Sequence, residues 1–151
     1  QTSNETSSKY IRRGFSNNVY FDAVKKLKNA NPKIHIVTHV IFGLPGETEV
    51  DMMKTVKDVV NAKSDGIKIT SLYILKNTDL ATDYFSKKFE PIEMDEYFNL
   101  IEKALKIIPE NMIIHRLTGD PPKSLLIEPT WTTDKKRTLN MVNNLLSKIG
   151  L

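Results

Sequence analysis

Apolar positions change their period along the chain, and each change marks an element. Between residues 94 and 108, Tyr97, Leu100, Ile101, Ala104, Leu105 and Ile108 recur at helical spacing. A helix with one buried side is predicted there, ended by Pro109. Residues 34–42, 67–75 and 112–117 are instead rich in β-branched side chains and read as strands. The first is almost continuously apolar, which suits a strand covered on both faces, as in a parallel sheet. Further helices are predicted from Asn4 to Arg13, over 18–29, from Thr48 to the break at Ser64-Asp65-Gly66, and from Asn77 to Lys87. A last one runs from about Thr133 to Lys148, with Leu139, Val142, Leu145, Leu146 and Ile149 on one side. The stretch between Thr118 and Trp131 reads as loop.

Strands alternating with helices imply βαβ units, and the fold class is α/β with a parallel sheet. Three strands make a thin sheet for so many helices. That count fits part of a parallel (β/α) barrel better than a whole doubly wound domain.

Composition narrows the picture further. The 151 residues are 40% hydrophobic and 26% charged, as expected of one globular domain. No apolar run reaches about eighteen residues, so no membrane-spanning helix is predicted. The polar start QTSNETSSK carries no signal-peptide pattern, and the cytoplasm is the expected compartment. Lys and Arg number 22 against 18 acids, a mild excess of +4. Its clusters, such as Lys135-Lys136-Arg137, fall on helix faces or ends rather than forming a nucleic-acid stripe. Cysteine is absent, which excludes disulfides, thiolate zinc sites and a cysteine-ligated iron–sulfur cluster within this chain. Two of the three histidines, His35 and His39, lie too far apart along one strand for a compact pair, and no metal site is expected. A chain that opens on Gln1 rather than Met is expected to be processed or part of something longer.

Two segments concentrate candidate chemistry. In HVIFGLPGETEVDM, residues 39–52, a strand ends, Gly43, Pro45 and Gly46 turn the chain, and Thr48 caps a helix with Asp51 three residues on. Loops at the carboxyl ends of strands are where α/β folds hold small molecules, although the same residues also serve a plain tight connection. In the second segment a strand ends in His115-Arg116 and turns through Thr118, Gly119 and Asp120. These groups suit an anionic ligand, and His115 suits proton transfer. Alternatively Asp120 pairs with Arg116 and the loop locks the tail in place.

Gln1-Thr2-Ser3-Asn4-Glu5 with Arg12-Arg13-Gly14, the GLPGET loop, and Leu75-Lys76-Asn77-Thr78-Asp79-Leu80-Ala81 together resemble the radical S-adenosylmethionine (radical SAM) superfamily. The branch is similar to oxygen-independent coproporphyrinogen oxidase and the elongator catalytic subunit. It is most similar to a bacterial group of iron–sulfur oxidoreductases, which share His115-Arg116-Leu117-Thr118-Gly119-Asp120. The resemblance implies a partial (β/α)6 barrel. In the family a CxxxCxxC loop holds a four-iron four-sulfur (4Fe-4S) cluster, and S-adenosylmethionine bound to it yields a radical that abstracts hydrogen from substrate. That loop is lacking here. The resemblance therefore implies the carboxyl-terminal half of the barrel, with strands five and six in residues 1–110 and a family-specific extension in 111–151. The cluster would belong to the missing amino-terminal part.

The same resemblance assigns residues to the S-adenosylmethionine pocket. Gln1 stands at the fourth-strand glutamine and Arg13 at an arginine near the cofactor's ribose and carboxylate. His39 replaces an aspartate near the ribose hydroxyls, while Ile41, Gly43 and Pro45 match positions along the adenine. Leu72 or Tyr73 would close that site through backbone groups. The expected parent is an iron–sulfur oxidoreductase, whose substrate is not legible. The alternative is a non-catalytic α/β binding module using the loop 43–48 for a nucleotide or phosphate. A barrel cut before its fifth strand would leave an open edge and an uncovered inner face, so the isolated chain is expected to self-associate, its natural partner being the missing half. The purified chain should be colourless after anaerobic iron–sulfur reconstitution and should not cleave S-adenosylmethionine. Chelator-sensitive visible absorbance would overturn this.

Overall fold

The computed structural model describes residues 1–150. The chain runs through α1 (Glu5–Tyr10), α2 (Asn17–Ala30), β1 (Val37–Phe42), α3 (Glu49–Asn61), β2 (Gly66–Ser71) and β3 (Ile74–Leu75). It continues through α4 (Asp79–Phe85), α5 (Met94–Leu105), β4 (Ile113–Arg116), β5 (Leu126–Glu128), a 3-10 turn (Thr130–Thr133) and α6 (Lys135–Lys148). Strands β1, β2 and β4 form a parallel sheet in the order β1-β2-β4, while β3 and β5 pair antiparallel beside it. This is the open, partial barrel that the alternation of strands and helices predicts. Among the described residues no helix is long and apolar enough to cross a membrane.

Period-two alternation divides the sheet between two environments. Val40 and Phe42 on β1 and Ile67 and Ile69 on β2 are buried against the helices, where they meet Val56 and Val59 of α3 and Tyr97, Leu100, Ile101 and Ala104 of α5. Each fully buried aliphatic side chain contributes about 1.5–3 kcal/mol. Val37, His39 and Ile41 face the other way, in register with Gly66, Lys68 and Thr70. That inner face stays open, with Val37 and Ile113 both exposed. From residue 111 onward the chain adds β4 to the sheet and packs α6 on α5.

Aromatic groups tie the later elements to this core. The Tyr97 hydroxyl donates to the Leu117 carbonyl at 3.0 Å, and the Trp131 indole donates to the Ile92 carbonyl at 3.0 Å. Both satisfy a polar atom that burial would otherwise leave costly.

Several boundaries differ from those predicted. Residues 34–36 are not strand, because the Ile36 N–H is taken by the Asp65 carboxylate and its carbonyl by the Asp65 and Gly66 N–H groups. The stretch 67–75 breaks at Leu72-Tyr73, where the chain leaves one sheet for the other. The strand β5 lies in what read as loop, since three residues carry no usable period and its partner is remote. The capping box of Thr48 and Asp51 forms as expected.

Gly43 and Gly46 both sit at positive φ, +83° and +79°. A Cβ on Gly43 would lie 2.9 Å from Ile92 Cγ2, whereas one on Gly46 meets nothing within 4 Å. Gly46→Ala should therefore cost about 1–2 kcal/mol of backbone strain alone, and Gly43→Ala distinctly more. Equal shifts in urea unfolding would show that Ile92 yields without cost.

Candidate functional site

The first residues extend the sheet and present Gln1 at the carboxyl end of β1. The Gln1 N–H donates to the His39 carbonyl at 2.9 Å, and the Ile41 N–H donates to the Gln1 carbonyl at 2.8 Å. The β1 edge expected to be bare is thus covered over this short length. A polar network holds the segment there. Buried Thr2 donates to the Glu47 carboxylate, the Ser3 N–H donates to Thr55 Oγ1 at 3.0 Å, and Asn17 donates to the Ser3 carbonyl. Asn4 caps α1 and also donates to Asp51 at 3.0 Å.

Arg13 belongs to this network. Its guanidinium donates to the Thr2 carbonyl at 2.6 Å, the Phe15 carbonyl at 2.9 Å and Asn17 Oδ1 at 3.0 Å, and stacks over the Phe15 ring. Only 6% of the side chain is exposed. Its fork is engaged inside the chain, under the Gln1–Ser3 segment, and the expected contact with a cofactor carboxylate is not available in this arrangement.

Beyond Gln1, a cavity of about 570 Å³ opens at the carboxyl ends of β1 and β2. Gln1, Ile41, Leu44 and Leu72 line it, and Arg12 rather than Arg13 reaches its rim. Gly43 and Pro45 shape the loop that carries Leu44. Tyr73 turns away, its hydroxyl lying against Gly119. Two contacts span the cavity's outer side: Arg12 with Asp79 at 2.7 Å, and the Tyr10 hydroxyl with Asp83. The Arg12 and Asp79 side chains are both 78% exposed, so water screens this pair and little energy holds it.

His39 sits one inner-face position below Ile41, with Nε2 2.8 Å from Thr70 Oγ1. Burial lowers its pKa to about 4, and Lys68, the Gln1 amino group and Arg116 add to the effect. The ring is neutral at physiological pH and offers a single donor or acceptor. Glu47 went unremarked in the sequence, yet burial raises its pKa while the hydrogen bond from Thr2 opposes that rise. Its place in GLPGET, beside the turn glycines, was the only signal available.

The His-Arg-Leu-Thr-Gly-Asp segment is divided by the structure. Arg116, Thr118 and Asp120 line a second cavity, about 560 Å³, between the end of β4 and α6. Asp120 bonds Lys135 at 3.0 Å, not Arg116 as one reading of the loop had it. His115 points elsewhere, to His35, with 2.9 Å between Nε2 atoms. The spacing of His35 and His39 gave no hint of that partner, which comes from a strand two places across the sheet.

Residues 64–148 match the family model described as the Radical_SAM C-terminal domain. The chain belongs to the radical SAM family. It is 38% identical over 150 residues to the protein YtqA of Bacillus subtilis, covering 99% of this chain and 46% of that one. It is 30% identical over 122 residues to a tRNA-2-methylthio-N(6)-dimethylallyladenosine synthase of Alkaliphilus oremlandii, covering 77% of this chain and 26% of the synthase. The fold matches that of Methanocaldococcus infernus Elp3 (N-terminal deletion 1–46) with a TM-score of 0.83 at 21% identity, over 100% of this chain and 35% of that one. This radical SAM chain thus spans about half the length of the first curated relatives it matches.

The depressed pKa of His39 has a stability consequence. The unfolded chain takes up the proton near the ordinary 6.5 and the folded one only near 4, so stability rises with pH across that window and is lost as pH falls through it. NMR ring-proton shifts of His39 should titrate near pH 4. A midpoint near 6.5 would mean the ring is fully hydrated.

Proposed function

We propose that this chain supplies the carboxyl-terminal wall of the S-adenosylmethionine pocket in a radical SAM iron–sulfur oxidoreductase. The cavity beyond Gln1 carries the reading. Its apolar side, Ile41, Leu44 and Leu72, suits a flat adenine, and the Gln1 side chain can meet a polar edge. Its charged rim offers Arg12 to a carboxylate and Asp79 and Asp83 to a cation. A 4Fe-4S cluster does not fit these residues. The chain has no cysteine, and among the described residues no group of three metal-ligating side chains occurs. The cluster would belong to the rest of the longer protein, a reading that the match to about half of each relative supports.

When bound, the cofactor and cluster together supply the radical that removes hydrogen from substrate. The chain's own residues bind and orient. Arg13, Glu47 and Thr55 hold Gln1 in the sheet and so act as positioning residues. His39, kept neutral, can make one hydrogen bond to a sugar hydroxyl without adding charge beside a cationic cofactor. Strand β4 continues the barrel sheet beyond residue 110, and the segment after it carries Thr118 and Asp120 beside Arg116 toward a substrate. The open inner face is covered by the remainder of the barrel, or by a second copy when the chain is alone.

The rival phosphate-loop reading finds little support. The N–H groups of Gly43, Glu47 and Thr48 are already bonded to Met52, Leu44 and Asp51, and Glu49 and Asp51 place two carboxylates in the first turn of α3. Such a helix start repels an anion.

In the full-length protein, Arg12→Ala should weaken S-adenosylmethionine binding by about 1.5–3 kcal/mol, the worth of a charged hydrogen bond, with little change in melting temperature. Arg13→Ala should chiefly lower the melting temperature. Equilibrium binding beside thermal unfolding separates the two. Unchanged affinity in both Arg12→Ala and Ile41→Glu would remove this cavity from the cofactor site.

A further inference from the structure

His35 and His115 meet outside both cavities, across the amino end of β2. Their Nε2 atoms are 2.9 Å apart and both rings are exposed. Three local features bring them together. His35 is fixed through its neighbour Ile36, whose N–H donates to the Asp65 carboxylate at 2.7 Å and whose carbonyl accepts from the Gly66 N–H at 3.0 Å. His115 is carried by β4, which is pinned to the same corner by the Ile113 N–H donating to the Asp65 carbonyl at 2.9 Å. Between them stands Gly66. A Cβ there would lie 2.7 Å from His115 Cδ2, 2.9 Å from its Nε2 and 2.9 Å from the Ile113 carbonyl oxygen, so a side chain would displace both the ring and the β4 backbone that carries it.

We propose that His35 and His115 form a two-histidine site for a divalent transition metal of the nickel or copper type. Metal–imidazole bonds of ~2.0–2.1 Å subtending a right angle separate the two nitrogens by about 2.9 Å. The observed 2.9 Å is that of the hydrogen bond between the rings, and it shows that two exposed imidazoles stand close enough to occupy adjacent positions of one ion, as copper(II) and nickel(II) allow with nitrogen ligands. In the metal-free pair one Nε2 donates its proton to the other. Binding moves that proton to Nδ1 of the same ring, and both exposed rings turn by about 45° from the hydrogen-bond axis to aim their lone pairs at one point on the solvent side. Asp65 is already engaged by Lys28 and Ile36, so it anchors the corner instead of ligating, and water completes the coordination.

The test is titration of the untagged chain with Ni²⁺ alone, followed by calorimetry and by NMR. Saturable one-to-one binding is expected, weakened about tenfold or more, ~1.4 kcal/mol, in His35→Ala and in His115→Ala and kept in His39→Ala. Gly66→Ala should weaken it too, although both histidines remain. In the unmodified chain, substoichiometric Ni²⁺ should broaden the ring protons of His35 and His115 and leave those of His39 sharp, a readout that needs no variant to fold. No saturable binding, broadening of all three histidines alike, or full affinity in either single variant would overturn the proposal.

Discussion

The parallel register of β1 on β2, from Val37 opposite Gly66 to Phe42 opposite Ser71, is the constraint on which the remaining structure depends. Because side chains alternate, this single pairing decides which residues enter the helical core and which line the open face. A slip of β1 by one residue would turn His39 and Ile41 toward the helices and expose Val40 and Phe42, while Ile67 and Ile69 of β2 stayed buried. The buried set against α3 and α5 makes that slip prohibitive. The same register puts Ile41 beside Thr70, while the Gln1 backbone bonds His39 and Ile41 along the other edge of β1.

The segment that opens the chain is held differently. Polar groups keep Gln1 to Asn4 in place: Thr2 with one Glu47 oxygen, Ser3 with Thr55 and Asn17, and Arg13 with the Thr2 carbonyl, while the second Glu47 oxygen is buried without a partner. Inside a partly dry network such bonds are stronger than in water, and losing one strands its partner. The outer rim of the cavity is the reverse case. Arg12 and Asp79 are bonded but hydrated, so exchanging Asp79 for a ligand carboxylate costs little. The cavity thus has a hydrogen-bonded floor beneath a hydrated rim.

The neighbouring arginines Arg12 and Arg13 show how burial separates two identical side chains. Arg13 is 6% exposed and makes three hydrogen bonds within the chain, while Arg12 is 78% exposed and holds one carboxylate. Adjacent positions at the end of a short helix point in different directions, and the left-handed backbone of Arg12, at φ +56°, widens the divergence.

Local chemistry was enough to read much of this protein. The stripe of α5, the β-branched strands, the Thr48–Asp51 cap and the turn glycines each express a preference that acts within a few residues. Together with the motifs they were enough for the α/β class, the partial barrel and the family. Tertiary structure decided what depends on partners remote in the chain. It paired Leu126–Glu128 with Ile74–Leu75, engaged Arg13 with Thr2 and left Arg12 at the cavity, sent Asp120 to Lys135, and brought His115 to His35 across eighty residues. None of these has a sequence period. The histidine pair follows from the order of β1, β2 and β4 in the sheet and from the missing side chain at Gly66 between them, and the others from elements that only the folded chain brings together.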